Sequence, residues 1–337
     1  MRVLVTGGAG YLGSVLVLLL LEKGYQVRVV DIGLFGTEHL PPDTDIIIGD
    51  ITDFEEAWLE GVDAVIQLAG ISNDPMAEFS PRLNFLVNAG GTGIVAQAAK
   101  KVGIGRFIFA STCSVYGFSD NREVNEDCPV SPDFPYAISK LMAERALLCL
   151  ADCHFKPIVL RAGTIVGWSP RMRYDLVVNT MVKSALTAGR IVVHNPKLWR
   201  PVIEVRDAAM AYVRALEADS NFSGIFNVAF DNFTIGRLAH EVAATLRQYN
   251  VRVSIEAQNR SDARNYKVST QKAREVLGFR PSISMSECVR TMMEHISLGE
   301  AADFGNPRYI NVEWMKLRLA ERVVSQDWSA ARTYAAS

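Results

Sequence analysis

The stretch Met1-Arg-Val-Leu-Val-Thr-Gly-Gly-Ala-Gly-Tyr-Leu-Gly13 decides the fold. Arg2–Thr6 is a short run that reads as a buried strand, Gly7–Gly13 as a turn, and Ser14–Lys23 as a helix. A glycine turn between a strand and a helix lets the backbone approach a pyrophosphate and aims a helix N-terminus at its charge. Gln26–Asp31 is a second, valine-rich strand, and its terminal acid lies eighteen residues past Gly13. A carboxylate there accepts hydrogen bonds from a ribose 2′-hydroxyl and repels a 2′-phosphate. Ile32-Gly33 adds no arginine that would welcome a phosphate. The expected ligand is therefore NAD rather than NADP, held by Gly7, Gly10, Tyr11, Leu12, Gly13 and Asp31.

Working outward, Asp45–Gly49, Ala64–Leu68, Arg106–Ser111 and Pro157–Arg161 are further short apolar strands, with Gly91–Val102 a helix between two of them. Strands of this length alternating with helices indicate βαβ units and a parallel sheet covered on both faces. Asp50-Ile51, after the third strand, falls near the adenine or serves only as a helix-capping loop. After about Gly167 the rhythm loosens into proline-bearing segments, isolated helices and short strands. The expected architecture is α/β: a Rossmann-type doubly wound parallel sheet with a smaller mixed α/β substrate-binding lobe. Residues 1–166 form the cofactor domain, to which later segments return, 167–300 the second lobe, and 301–337 a C-terminal extension.

Composition narrows the class of partner. The chain has 337 residues, 35 basic against 37 acidic, and a net charge of -2. That balance argues against a nucleic-acid binder relying on a basic face. The longest apolar run, within Val15–Leu21, is too short for the ~20 residues that span a bilayer, and Met1–Thr6 enters a strand with no signal-peptide pattern. Five scattered cysteines (113, 128, 149, 153 and 288) make no disulfide framework. Cys149, Cys153 and His154 lack the second ligand pair that a zinc site requires, so no metal is expected. The expected location is a reducing cytoplasm.

Further landmarks are Leu68-Ala-Gly70, Ser111-Thr-Cys-Ser-Val-Tyr-Gly117, Pro135-Tyr-Ala-Ile-Ser-Lys140, Leu160-Arg161, Gly163-Thr-Ile-Val-Gly167, Arg200–Asp207, Phe226-Asn227 and Leu277-Gly-Phe-Arg-Pro281. With the glycines spaced three and three, this succession resembles the extended short-chain dehydrogenase/reductases, in particular the NAD-dependent nucleotide-sugar epimerases and dehydratases. The resemblance runs from residue 1 to about 295. Tyr136 and Lys140 are four apart, so on a helix they share one face. A phenol is a poor base at neutral pH. A neighbouring ammonium and a positive nicotinamide ring would lower its pKa, letting Tyr136 take and return a hydroxyl proton. The resemblance makes Thr112 the hydroxyl that orients the reacting sugar oxygen, and Lys140 a donor to the nicotinamide ribose. Leu68, Ala69 and Gly70 would line the cofactor site.

The related 4,6-dehydratases commonly carry an Asp-Glu pair after the threonine; here those positions are Cys113 and Ser114. Loss of that pair favours an epimerase working through a transient 4-keto sugar over a dehydratase (lyase) or a 4-ketoreductase. Cys113 is either an acid/base for a less usual reaction or a small buried residue. The resemblance places Arg200, Arg264 and Asn179 at the substrate diphosphate, and guanidinium forks suit phosphate oxygens. Ser72-Asn73-Asp74 should face the cleft, contacting sugar or cofactor. Trp168 either walls the sugar pocket or packs between lobes. The surplus of apolar residues on the Tyr136–Cys153 helix implies a homodimer, as in the family.

Overall fold

The computed structural model describes residues 1–219, 221–258 and 264–324. Among the described residues fourteen strands run in chain order: β1 2–6, β2 26–31, β3 45–48, β4 64–67, β5 106–112, β6 118–124, β7 156–162, β8 164–166, β9 190–194, β10 199–204, β11 224–228, β12 231–234, β13 254–258 and β14 265–268. The helices are α1 11–22, α2 74–79, α3 81–85, α4 92–101, α5 135–150, α6 177–188, α7 205–217, α8 235–247, α9 271–276, α10 285–297 and α11 311–324.

The central sheet has seven strands in the order β11-β7-β5-β4-β1-β2-β3, and every neighbouring pair is parallel. The chain moves outward from β1 to β3 and then returns to place β4 on the other side of β1. That reversal opens a crevice beyond the carboxyl ends of β1 and β4, where ligands of doubly wound sheets bind. Buried valines, leucines and isoleucines of β1, β4, β5 and β7 alternate between two apolar layers. One layer is shared with α1 and α7, the other with α4 and α5. β11 and α7 lie far along the chain yet complete this sheet and its cover.

The second lobe is built around its own apolar core from α6, α8, α10 and strands β9 and β10. Three short sheets, β12-β10-β8, β13-β9 and β14-β6, attach it beside the crevice. The expected edges shift by a few residues. The first helix starts at Tyr11 rather than Ser14, and the helix expected over 91–102 covers Thr92–Lys101 after a π-helical segment Leu86–Gly91. Among the described residues, no helix is long and apolar enough to cross a membrane.

Candidate active site

One cavity of about 850 Å³ occupies the crevice and extends toward the second lobe. Its cofactor end is built by the glycine turn. Gly7 adopts φ +70°, and a Cβ there would lie 2.7 Å from the backbone of Ala69. At Gly13 a Cβ would strike the Gly7 carbonyl oxygen, so the turn packs only because these positions are bare. Gly10 caps α1 without a side chain, leaving the first helical N–H groups to face the cavity. Asp31 accepts hydrogen bonds from the backbone N–H of Gly33 at 2.9 Å and of Ala9 at 3.0 Å. Burial pushes its pKa up, opposed by those two hydrogen bonds. A carboxylate has further acceptor capacity beyond two bonds, which fits a ribose hydroxyl. Asp50 caps a short 3₁₀ turn, accepting from Thr52 N at 2.9 Å, while Asp50 and Ile51 still line the cavity. The turn, its bare helix start and Asp31 together suit a dinucleotide.

Leu68, Ala69 and Gly70 follow β4 along the cavity wall. This loop is fastened by Asn88, a buried residue of the π-helical segment: it accepts from Ile71 N at 2.8 Å and donates to Ile71 O at 3.0 Å. A side chain at Gly70 would meet Asn88 and approach the Lys140 ammonium. Neither restraint was read from the sequence, because an asparagine inside a helical stretch carries no periodic signal.

The chemistry-bearing residues stand on the next wall. Thr112 ends β5 and caps the 3₁₀ turn Cys113–Tyr116, its Oγ1 accepting from Ser114 N at 3.1 Å. Tyr136 opens α5, with the Thr112 side chain in hydrogen-bonding reach of its phenol. Lys140, one turn later, is 4% exposed and donates to the Ala110 carbonyl at 2.9 Å. Burial lowers its pKa to about 8, partly offset by the Glu144 carboxylate. A depressed Tyr136 phenol is expected with a positive nicotinamide ring beside it; in the protein by itself the pKa is raised. Burial is the largest influence and raises its pKa, Asp74 raises it further, and Arg173 and Thr112 pull it down. Only a positive charge brought against the phenol would reverse that sum.

Of its two expected readings, Cys113 sits as the small buried residue and not as an acid/base at the cavity. It is fully buried outside the cavity lining, its Sγ donates to Arg161 O at 3.1 Å, and burial pushes the thiol pKa far up. It cannot reach a substrate as an acid or base; Ser114 is the neighbour that lines the cavity. Below this floor runs a charged layer that sequence reading missed. Arg161 grips Glu144 through Nε at 3.0 Å and Nη2 at 2.7 Å, and reaches Tyr116 Oη at 2.9 Å. Tyr116 donates to Asn227 Oδ1 at 2.9 Å, and Ser111 donates to Glu144. The scattered landmarks at 111–117, 160–161 and 226–227 are thus one network under β5.

At the end of the cavity toward the second lobe, Arg200 and Arg264 both line it, Arg200 donating to the carbonyl of Arg264 and Arg264 pairing with Asp74. Ser261-Asp-Ala263, beside Arg264 in the sequence, lies outside the described residues. Ser72 accepts from Arg173 Nη1 and Asn311 Nδ2, both at 3.1 Å. Asn73 caps α2 and donates to Asp175 at 3.0 Å. Asn179 is a correction: it is fully buried and does not line the cavity. Its side chain instead accepts from Gly167 N at 2.9 Å and donates to the carbonyls of Gly167 and Arg173 at 2.9 and 2.8 Å. It braces the loop before α6 and has no surface for a diphosphate. Trp168 packs in the second lobe, stacked on His295 with centroids 3.5 Å apart, and does not wall the cavity. Sequence reading gave no role to Asn311 and Met315, which also line the cavity.

Residues 3–229 match the NAD-dependent epimerase/dehydratase family. A UDP-glucose 4-epimerase of Corynebacterium glutamicum is 27% identical over 303 residues, covering 83% of this chain and 91% of that protein. The UDP-glucose 4-epimerase of Thermus thermophilus, solved with NAD, superposes with a TM-score of 0.77 at 26% identity, over 88% of this chain and 99% of that one. TunA, an NAD-dependent NDP-hexosamine 5,6-dehydratase, shares the fold with a TM-score of 0.79 at 23% identity, over 90% of this chain and 99% of its own. With the match spanning the glycine turn, Asp31 and the Thr112–Tyr136–Lys140 wall, the chain belongs to the NAD-dependent epimerase/dehydratase family, and its cofactor is NAD.

Proposed function

We propose that the protein is a nucleotide-sugar epimerase that inverts the C4 hydroxyl through a transient 4-keto sugar. The observation that carries this reading is the pairing of an intact Thr112–Tyr136–Lys140 wall with the absence of an acid pair behind Thr112. Cys113 is buried and engaged, and Ser114 is a weak acid and base near neutrality. Bound NAD supplies hydride acceptance and return at C4. Tyr136 would take the proton of the 4-hydroxyl as the C4–H bond gives up hydride, and return it to the ketone oxygen as hydride comes back to the opposite face of C4. Thr112 orients the oxygen, and the Lys140 ammonium steadies the phenolate form of Tyr136. Arg200 and Arg264 bind the diphosphate, so the sugar can turn while the nucleotide stays anchored.

The similarity to UDP-glucose 4-epimerases supports this reading, at identities of 26–27%. The dehydratase reading draws on the shared fold of TunA and requires an acid/base that Cys113 does not supply. The partner proposed for assembly is a second copy, through α4 and α5, where Ile94, Met142 and Leu148 are 37%, 48% and 42% exposed. The cytoplasm is the proposed location, consistent with five unpaired cysteines. The test is incubation with UDP-, GDP-, CDP- and dTDP-sugars, products being followed by mass and NMR. An isomer of unchanged mass with C4 inverted supports the reading; a product lighter by one water overturns it in favour of the lyase.

A further inference from the structure

The segment after α10 has no part in the reaction described above, yet it crosses the mouth of the cofactor groove. It consists of a 3₁₀ turn, Pro307–Tyr309, and the start of α11. On one side it holds the loop after β2, the strand that ends in Asp31. Arg308 Nε donates to the Phe35 carbonyl at 2.7 Å and its guanidinium pairs with Glu38; Trp314 Nε1 donates to the Leu34 carbonyl at 2.6 Å. That loop bends through two left-handed glycines, Gly33 and Gly36, with φ of +69° and +75°. Such a backbone has many alternatives when unfastened. On the other side Asn311, 4% exposed, donates to Ser72 Oγ at 3.1 Å and accepts from Arg171 Nη2 at 2.6 Å. The same Arg171 guanidinium lies 3.5 Å from the centroid of the Phe35 ring. Leu34, Phe35, Arg171 and Asn311 all line the cavity next to Asp31.

We propose that residues 306–315 form a clasp that fixes the Asp31–Phe35 loop over the adenosine half of NAD and thereby sets how slowly the cofactor leaves. Arg308, Asn311 and Trp314 are positioning residues: they act through Phe35, Leu34 and Arg171. The clasp rests on the NAD assignment and not on which reaction follows. A protein that oxidises and then re-reduces one sugar needs its cofactor to stay through the whole cycle. A loop held by two donating side chains, Arg308 and Trp314, from a distant segment opens less often than a free one.

The test uses the NAD-loaded full chain and the variants Trp314→Phe, which keeps the ring and removes the N–H, and Asn311→Ala. NAD release into excess buffer is followed by assaying nucleotide in the filtrate, beside a thermal melt and turnover at saturating NAD. Release should accelerate roughly tenfold in each variant, the effect of losing about one buried hydrogen bond. Turnover of Trp314→Phe with saturating NAD should return to within about twofold of the parent, because a faster-leaving cofactor is replaced by mass action. Lys316→Ala, on the exposed side of α11, should release NAD at the parental rate. Parental release rates in both Trp314→Phe and Asn311→Ala overturn the clasp. A turnover loss that saturating NAD does not restore, at unchanged release, also overturns it and assigns the segment to the Ser72 side of the cavity. Release is measured without sugar, so failure of the clasp is distinct from failure of the epimerase reading.

Discussion

At the scale of single residues, burial raises the pKa of the Tyr136 phenol and lowers that of the Lys140 ammonium. Tyr136→Phe removes the proton carrier and nothing that holds the helix, so turnover should fall by at least about a hundredfold while the melting temperature stays within a few degrees. Steady-state kinetics beside a thermal melt would check this. Lys140 titrates near 8 in the folded protein against 10.5 for an ordinary lysine. Below about pH 8 it is charged in both states, and the folded state carries the full cost of burying that charge. Between about pH 8 and 10.5 the unfolded chain binds the extra proton, so this contribution makes stability rise with pH. Lys140→Met should therefore melt higher than the parent at pH 7, with the gain fading by about pH 10.5, while losing turnover. A parental melting temperature at pH 7 would contradict the assignment of a buried ammonium. The placements of Cys113 and Asn179 belong to this scale too. Residue type allowed a thiol acid or an amide at a diphosphate, and only packing revealed that both side chains are spent on backbone groups.

At the scale of elements, β1, its glycine turn and α1 were legible because the glycines at 7 and 13 answer to close contacts that no other residue permits. The parallel sheet was legible from short apolar strands alternating with helices. The layer beneath β5 was not. Glu144 follows Lys140 by one turn and reads as a solvated helix charge, whereas the fold buries it against Arg161. Two motifs 17 residues apart in sequence give no sign that they share one ion pair. Removing one partner leaves a buried charge alone, so Glu144→Gln should cost about 3–5 kcal/mol in a urea unfolding experiment. A loss under about 1 kcal/mol would place the pair at the level of a surface ion pair. Since α5 carries both Glu144 and the Tyr136–Lys140 face, a fall in turnover should accompany this loss.

At the scale of the whole molecule, two cores meet along one cavity, and the near-neutral charge balance is no obstacle to a diphosphate ligand. Arg171, Arg173, Arg200 and Arg264 gather at that cavity, and their local charge is invisible in a count of 35 against 37. The C-terminal extension had no legible role because its contacts, Trp314 to Leu34 and Arg308 to Phe35, join residues more than 270 positions apart. The proposed assembly is a separate test: in sedimentation velocity the parent should run as a dimer, and Met142→Glu, which places a charge on the exposed apolar face of α5, as a monomer. An unchanged sedimentation coefficient would move the interface elsewhere.

In the proposed reaction one hydride leaves and returns to the same sugar carbon while Tyr136 carries the proton. Its most direct test is turnover of a nucleotide sugar deuterated at C4, in ordinary water and with no added NAD. The C4 epimer should form with its deuterium retained at C4, and Tyr136→Phe should leave the substrate unchanged. Deuterium lost from C4, or a product lacking one water, would contradict it.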